Sequence, residues 1–131
     1  MADQLSILLV DDSRSVLAQL EGLLGDVDGT DVVGMARDGG EAIRMVSELH
    51  PDLVLMDIVM PRMDGMAALR VIRTNHPGVQ VAMISSVGGT ASRAEERFRL
   101  GAVQVIGKPL DERILESLVE SVRSNLAEGE A

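Results

Sequence analysis

The chain has 131 residues, a formal net charge of −9 and no cysteine. Its length fits one domain with a single core, and the absence of cysteine excludes disulfides, thiolate catalysis and cysteine metal sites. The acidic charge opposes binding to nucleic acid, whose phosphates are held by clustered Lys and Arg.

The N-terminus shows no signal-peptide pattern, and no apolar run approaches the ~18 residues that a membrane span needs. We therefore expect a cytoplasmic protein with no membrane insertion and no nucleic acid partner. Residues 1–131 are expected to form a single domain with a core of about 5–124, followed by a polar, frayed tail from Leu126.

Short apolar runs alternate with segments of helical period along the chain. Five runs are predicted to be strands, at residues 5–10, 32–36, 53–56, 79–84 and 103–106. Five segments between and after them are predicted to be helices, and the fourth, at 90–100, has the weakest apolar face. This alternation is typical of a parallel sheet covered by helices on both faces, so we predict a doubly wound α/β domain.

Polar residues mark where the predicted helices begin, and His-Pro pairs mark where two of them end. The predicted N-caps are Ser13, Asp38 and Asp64, and the fifth helix is expected to begin near Asp111. The second and third helices are expected to end at His50 and His76, because the residue before proline disfavours the helical conformation. We interpret both histidines as turn residues. Leu49 continues the apolar spacing of the second helix, so it is expected on the buried face.

Polar side chains stand at the carboxyl ends of the predicted strands. Asp11 and Asp12 follow the first strand, Asp57 the third and Ser85 the fourth, and Lys108 comes soon after the fifth. The carboxyl ends of parallel strands share one edge, where ligands bind in α/β sheets. Lys108 is the only lysine beside eleven arginines, and its compact ammonium suits a tight anion pocket better than a guanidinium does. We therefore expect one site at this edge.

The residue types at this edge favour phosphate chemistry. Three neighbouring carboxylates repel one another unless a cation neutralises them, and Mg²⁺ takes oxygen ligands and commonly lies between carboxylates and a phosphoryl group. Zinc is not expected, because cysteine is absent and both histidines lie in turns elsewhere. A carboxylate beside Mg²⁺ can attack phosphorus to form an aspartyl phosphate. Lys108 and Ser85 could then hold the phosphoryl oxygens.

Four motifs at their mutual spacing closely resemble the receiver domain of two-component response regulators. They are Asp11-Asp12, the segment DIVMPRMDG at 57–65, Ser85-Ser86 and Lys108-Pro109. The resemblance covers about 5–124 and implies a flavodoxin-like, five-stranded sheet of order 2-1-3-4-5 with five helices.

The resemblance also implies a role for each motif residue. Asp57 would be the phosphoacceptor, and Ser85 and Lys108 would contact the phosphoryl group. The implied Mg²⁺ ligands are Asp11, Asp12, Asp57 and the backbone carbonyl of Val59. Pro61 and Gly65 would shape the loop after Asp57. Val105 stands where the family usually has an aromatic switch residue, so an aromatic relay is not expected in this chain.

As a function, the resemblance implies a free-standing, chemotaxis-regulator-like phosphoacceptor of two-component signalling. It would accept phosphate from a histidine kinase or histidine phosphotransfer protein. It would then alter binding to a protein target, expected through the face of the predicted fourth and fifth helices. We expect no enzymatic activity beyond its own phosphorylation and dephosphorylation.

Two alternatives stay open. The chain could be a receiver separated from a larger regulator such as a chemotaxis methylesterase. It could also be a Mg²⁺-dependent phosphatase of the haloacid dehalogenase type, which uses an aspartyl nucleophile at a strand end. Such phosphatases need a second Asp two residues after the nucleophile, where this chain has Val59. The phosphatase is therefore the weaker alternative.

Overall fold

The computed structural model describes residues 4–58, 60, 63, 65–85, 102, 104–107 and 110–130, with the main chain only at 105 and 128–130. The strands are β1 (Leu5–Val10), β2 (Thr30–Ala36), β3 (Leu53–Asp57), β4 (Gln80–Ser85) and β5 (Gln104–Gly107). The helices are α1 (Arg14–Gly25), α2 (Gly39–Leu49), α3 (Gly65–Asn75) and α4 (Glu112–Glu130). The predicted helix at 90–100 lies outside the described residues.

The strands form one sheet in the order β2-β1-β3-β4-β5, and every neighbouring pair is parallel. This confirms the predicted fold class and strand order. In the sheet, β2 lies on one side of β1, and β3 lies on the other side. The order therefore reverses between β1 and β3, and a crevice opens at their carboxyl ends.

Two apolar layers cover the sheet, one on each face. The layer that includes Leu20 of α1 and Leu118 of α4 packs on one face, and the layer that includes Val46 of α2 and Ile72 of α3 packs on the other. Side chains of a strand alternate between the two faces. All five residues of β3 are buried, as expected for a central strand covered on both sides.

Side-chain caps fix where three helices begin. The Ser13 hydroxyl accepts a hydrogen bond from the Val16 N–H at 3.3 Å, and the Asp38 carboxylate accepts one from the Glu41 N–H at 2.8 Å. Asp111 caps α4 by accepting from the Ile114 N–H at 2.9 Å. These caps satisfy N–H groups that the first helical turn leaves unpaired. The predicted starts of these helices are confirmed, while Asp64 lies outside the described residues.

The bounds of several elements differ from the prediction. The strand predicted at 53–56 continues through Asp57, and the strand predicted at 79–84 ends at Ser85, so both polar residues occupy the last position of a strand. The final helix extends to Glu130, beyond the expected end of the core near 124. Whether its last residues fray stays a prediction.

The prediction that Leu49 is buried is wrong. Its side chain is 40% exposed, because the last turn of α2 lies over the edge strand β2. The tip of the side chain covers Gly34, where an added Cβ would come within 2.9 Å of a Leu49 methyl group. No helix among the described residues has the length and apolar character to cross a membrane.

Candidate functional site

Asp57 lies at the carboxyl end of the central strand β3. It pairs in register with Ile84 of β4, and the pairing continues one residue further because the Ile58 N–H donates to the Ile84 carbonyl at 3.0 Å. The Asp57 side chain is only 6% exposed. Its carboxylate is therefore held on a rigid part of the sheet with a small opening to solvent.

Asp11 and Asp12 approach Asp57 from the neighbouring strand. Val10, the last residue of β1, pairs with Met56. The residues that follow them, Asp11 and Asp57, therefore lie side by side at the ends of adjacent strands. Asp11 is buried, with 1% exposure, and its Oδ1 accepts from the Ser13 N–H at 2.9 Å. This bond ties Asp11 to the start of α1, while Asp12 is exposed at the rim of the crevice.

The three carboxylates form a group that could hold a metal ion. One oxygen from each of Asp11, Asp12 and Asp57 lies within 4.8 Å of the other two. Two like charges about 4 Å apart repel by about 4 kcal/mol at the effective dielectric constant near a protein surface. A hard divalent cation removes this repulsion. Because Mg²⁺ holds its oxygens at about 2.0–2.1 Å, opposite ligands lie about 4 Å apart, so the donor set fits such an ion.

Ser85 flanks Asp57 on the side opposite the acid pair. It is the last residue of β4, with 9% exposure, and it pairs with Gly107 of β5. Since β4 adjoins β3, the hydroxyl lies on the same edge as Asp57. The predicted site residues Asp11, Asp12, Asp57 and Ser85 are thus brought together.

Lys108, Val59 and Pro61 lie outside the described residues. Their roles stay predictions. Lys108 follows Gly107 directly in the sequence, and Gly107 is the register partner of Ser85.

A basic residue at the rim was missed by the sequence analysis. The Arg37 guanidinium donates a hydrogen bond to the main-chain carbonyl of Asp12 at 3.3 Å. Arg37 follows the last residue of β2, so it stands at the same edge as the acids. The acids were found by inspecting the residues that follow each predicted strand. The same inspection of β2 would also have found Arg37.

Residues 7–120 match the family of response regulator receiver domains. The chain belongs to this family. The interpretation as a phosphoacceptor receiver of two-component signalling is therefore confirmed, together with its relation to chemotaxis proteins.

Two solved structures show how closely this receiver keeps the family fold. A chain in the crystal structure of the CheX–CheY–BeF3–Mg complex from Borrelia burgdorferi is 32% identical, with a TM-score of 0.86, over 92% of this chain and 90% of that chain. The response regulator domain of Thermotoga maritima CheB is 33% identical, with a TM-score of 0.81, over 95% and 97% of the two chains.

Curated relatives include longer regulators. Protein-glutamate methylesterase/protein-glutamine glutaminase 4 of Geobacter metallireducens is 41% identical over 126 residues, which are 89% of this chain and 36% of the relative. The corresponding protein 5 of Myxococcus xanthus is 36% identical over 124 residues, 90% of this chain and 36% of the relative. The chain thus spans about a third of the length of these relatives.

Proposed function

We propose that this receiver accepts a phosphoryl group on Asp57 from the phosphohistidine of a histidine kinase or histidine phosphotransfer protein. The observation that carries the proposal is the position of Asp57 on β3, between two different groups. On one side, Asp11 and Asp12 supply carboxylate oxygens within 4.8 Å. On the other side, Ser85 ends the adjacent strand.

These flanking groups favour Asp57 over its acidic neighbours as the phosphoacceptor. Asp11 is almost fully buried and one of its oxygens holds the Ser13 N–H, so its attack on phosphorus would disturb the start of α1. Asp12 is exposed at the rim, away from the hydroxyl of Ser85. Of these three acids, Asp57 is the one on the strand next to Ser85, whose hydroxyl can donate to a phosphoryl oxygen.

In the transfer, a carboxylate oxygen of Asp57 attacks the phosphorus atom. The new O–P bond forms as the P–N bond to the donor imidazole breaks, and the donor ring, already protonated on its other nitrogen, leaves as neutral imidazole. The Ser85 hydroxyl and the Lys108 ammonium would hold the phosphoryl oxygens, since this reaction needs mainly positioning and charge stabilisation. At the end of the step, the Asp57 side chain would carry the phosphoryl group as an acyl phosphate.

Mg²⁺ is the proposed cofactor, and its ligands would be Asp11, Asp12, Asp57 and the main-chain carbonyl of Val59. When bound, the ion supplies positive charge that neutralises the carboxylates and the phosphoryl oxygens. The support is the donor set itself, because three carboxylates are hard oxygen ligands of the kind that Mg²⁺ prefers.

Phosphorylation would then change the affinity of this receiver for a protein target. We place that target on the face formed by α4 and the predicted helix at 90–100, in a cytoplasmic protein whose domain is residues 1–131. The net charge of −9 supports a protein rather than a nucleic acid partner. We propose no enzymatic role beyond phosphorylation and dephosphorylation of Asp57.

A second candidate is a receiver that belongs to a chemotaxis methylesterase. The observation that favours it is the identity of 36% to 41% with two such proteins, of which the chain covers about a third. The size of the native protein in its own cells separates the two candidates. A product of 14.0 kDa supports the free-standing receiver, and a product about three times as long supports the methylesterase.

Phosphotransfer profiling tests the proposed function. Each member of a panel of phosphorylated histidine kinases and phosphotransfer proteins is mixed briefly with the wild type, with Asp57→Asn and with Asp31→Asn. Asp31 is an exposed acid on β2, so it serves as the matched control. We expect one donor to label the wild type and Asp31→Asn but not Asp57→Asn. Equal labelling of all three proteins would contradict the proposal.

A further inference from the structure

The two histidines of the chain lie side by side at the edge of the sheet opposite the acid cluster. The ring centroids of His50 and His76 are 6.4 Å apart and the ring planes meet at 67°. His50 precedes β3 and His76 precedes β4, and these strands are neighbours. The fold therefore brings together two imidazoles that the sequence keeps in separate turns.

Each histidine ends a helix in the same way. The His50 N–H donates to the Val46 carbonyl at 2.9 Å, and the His76 N–H donates to the Ile72 carbonyl at 2.7 Å. Both residues thus lie at the carboxyl end of a helix, where unpaired carbonyls carry partial negative charge that attracts cations. Two such ends meet here, because α2 and α3 pack on the same face of the sheet.

The main chain that carries the pair is cross-linked by hydrogen bonds. The Gln80 N–H donates to the Asp52 carbonyl at 3.0 Å, and the Val79 N–H donates to the His76 carbonyl at 3.0 Å. The Arg73 guanidinium donates to the carbonyls of Pro77 and Val79. These bonds join the turn after α2 to the turn after α3, so the two imidazoles project from one rigid platform.

His50 adopts a backbone conformation that glycine usually supplies. Its φ is +49°, and it is the only non-glycine residue with positive φ among the described residues. A helix C-cap in this left-handed region is most often Gly or Asn. Non-glycine residues in this region persist where the surrounding structure holds them, and they are enriched at active sites and ligand clamps.

Two acids lie within two residues of His50 in the sequence, and each already has a hydrogen-bond partner. The Asp52 carboxylate accepts from the Ser6 N–H and hydroxyl, and Glu48 pairs with Arg44 at 2.9 Å. Among the described residues, neither histidine belongs to a cluster of three or more His or acidic side chains that could hold a metal ion. Water would therefore complete the coordination of an ion held here.

We propose that His50 and His76 form a binding site for a divalent transition-metal ion, independent of the phosphorylation site. Neutral imidazole suits Zn²⁺, Ni²⁺ and Cu²⁺. At Zn–N distances of 2.0–2.1 Å, two rings on one ion have centroids roughly 5–6 Å apart. The observed centroid distance of 6.4 Å is close to that range. With two protein ligands, the site binds weakly and Cu²⁺ binds it more tightly than Zn²⁺.

The test is a titration of the full chain with Zn²⁺, followed by the imidazole resonances in nuclear magnetic resonance spectra. Excess Mg²⁺ is present, and the titration is repeated with Asp57→Asn, so that binding at the acid cluster is recognised separately. We expect both imidazoles to shift together in one transition with one equivalent of Zn²⁺. Two independent transitions, or shifts confined to residues of the acid cluster, would overturn the proposal.

Two variants make the test specific to the pair. His50→Gly supplies the residue best suited to positive φ, so a loss of binding in this variant does not reflect unfolding, and His76→Asn removes the other ring. Removing a residue that only hydrogen-bonds a metal ligand typically lowers metal affinity 10–100-fold. Removing a ligand itself should therefore weaken Zn²⁺ binding by at least about tenfold. The control Glu48→Gln, in the same turn of α2, should bind as the wild type does. Wild-type affinity in either histidine variant would refute the site.

Discussion

Gly65 lies so close to Asp57 that a side chain at Gly65 would overlap the main-chain carbonyl of Asp57. A Cβ added to Gly65 would also come within 2.9 Å of the Ile58 Cα. The Gly65 N–H donates to the Ile58 carbonyl at 2.8 Å, so the start of α3 is fastened to the residue after Asp57. The first residue of α3 therefore sets the position of the main chain at the proposed phosphorylation site.

Gly65→Ala should damage the site and the fold together. The added methyl group meets main-chain atoms that cannot rotate away, and overpacking of this kind costs roughly 1–3 kcal/mol in free energy of unfolding. The displaced Asp57 should also be phosphorylated more slowly by acetyl phosphate. Urea denaturation and a time course of phosphorylation measure the two effects.

Gly22→Ala is the matched control for that variant. Gly22 lies within α1, and a Cβ there would meet nothing within 4 Å. Alanine loses less conformational entropy than glycine in a helix, so this variant should gain roughly 0.5–1 kcal/mol in free energy of unfolding. Its phosphorylation should be unchanged. Equal stability of the two glycine variants would contradict the close packing of Gly65 on Asp57.

The sequence predicted the elements of the fold well because their local signals agree. The caps Ser13 and Asp38 stand where helices begin, and β3 is apolar throughout because both of its faces are covered. The strand order came from the family resemblance, since nothing local to a strand specifies its neighbours. The exposure of Leu49 was missed for a related reason: helical spacing shows which face is apolar, but not that the last turn of the helix lies over an edge strand.

The grouping of Asp11, Asp57 and Ser85 was predicted because parallel strands bring their carboxyl ends to one edge, whatever their register. The pairing of His50 with His76 was not predicted. It depends on α2 and α3 packing on the same face ahead of two adjacent strands, which is a property of the tertiary structure. The two His-Pro turns look alike in the sequence, but their contact follows from the strand order.

Asp12→Ala should weaken Mg²⁺ binding without unfolding the protein. Asp12 is exposed, so little packing is lost, but one of the three clustered carboxylates disappears. Removing a residue that only hydrogen-bonds a metal ligand typically lowers metal affinity 10–100-fold, so removing a carboxylate ligand should lower the affinity for Mg²⁺ by about tenfold or more. Calorimetric titration measures it, since the chain has no Trp to report by fluorescence. Asp31→Ala should leave the affinity unchanged, and an equal loss in both variants would count against the cluster.

Ser85→Ala should separate phosphorylation from the response to it. Asp57 and the acid pair remain, so acetyl phosphate should still modify the protein. The hydroxyl that would hold a phosphoryl oxygen is lost, so beryllofluoride should shift the amide resonances of β4 and β5 less than in the wild type. Ser47→Ala, at an exposed position on α2, should respond fully. A complete response in Ser85→Ala would show that this hydroxyl has no part in the change.

Lys108→Arg should impair the response to phosphorylation while the fold is kept. The guanidinium is planar and bulky where an ammonium is compact, so the swap preserves charge but not fit in a tight pocket. Beryllofluoride shifts in nuclear magnetic resonance spectra should be reduced. Arg113→Lys, an exposed swap on α4, should have no effect. A wild-type response in Lys108→Arg would mean that Lys108 is a solvated surface charge.

The most direct test of Asp57 as the phosphoacceptor is the intact mass of the protein after incubation with acetyl phosphate and Mg²⁺. We predict one added phosphoryl group in the wild type and in Asp31→Asn, none in Asp57→Asn, and none in any of them when the metal is chelated. Full modification of Asp57→Asn would contradict the central claim that Asp57 is the phosphoacceptor.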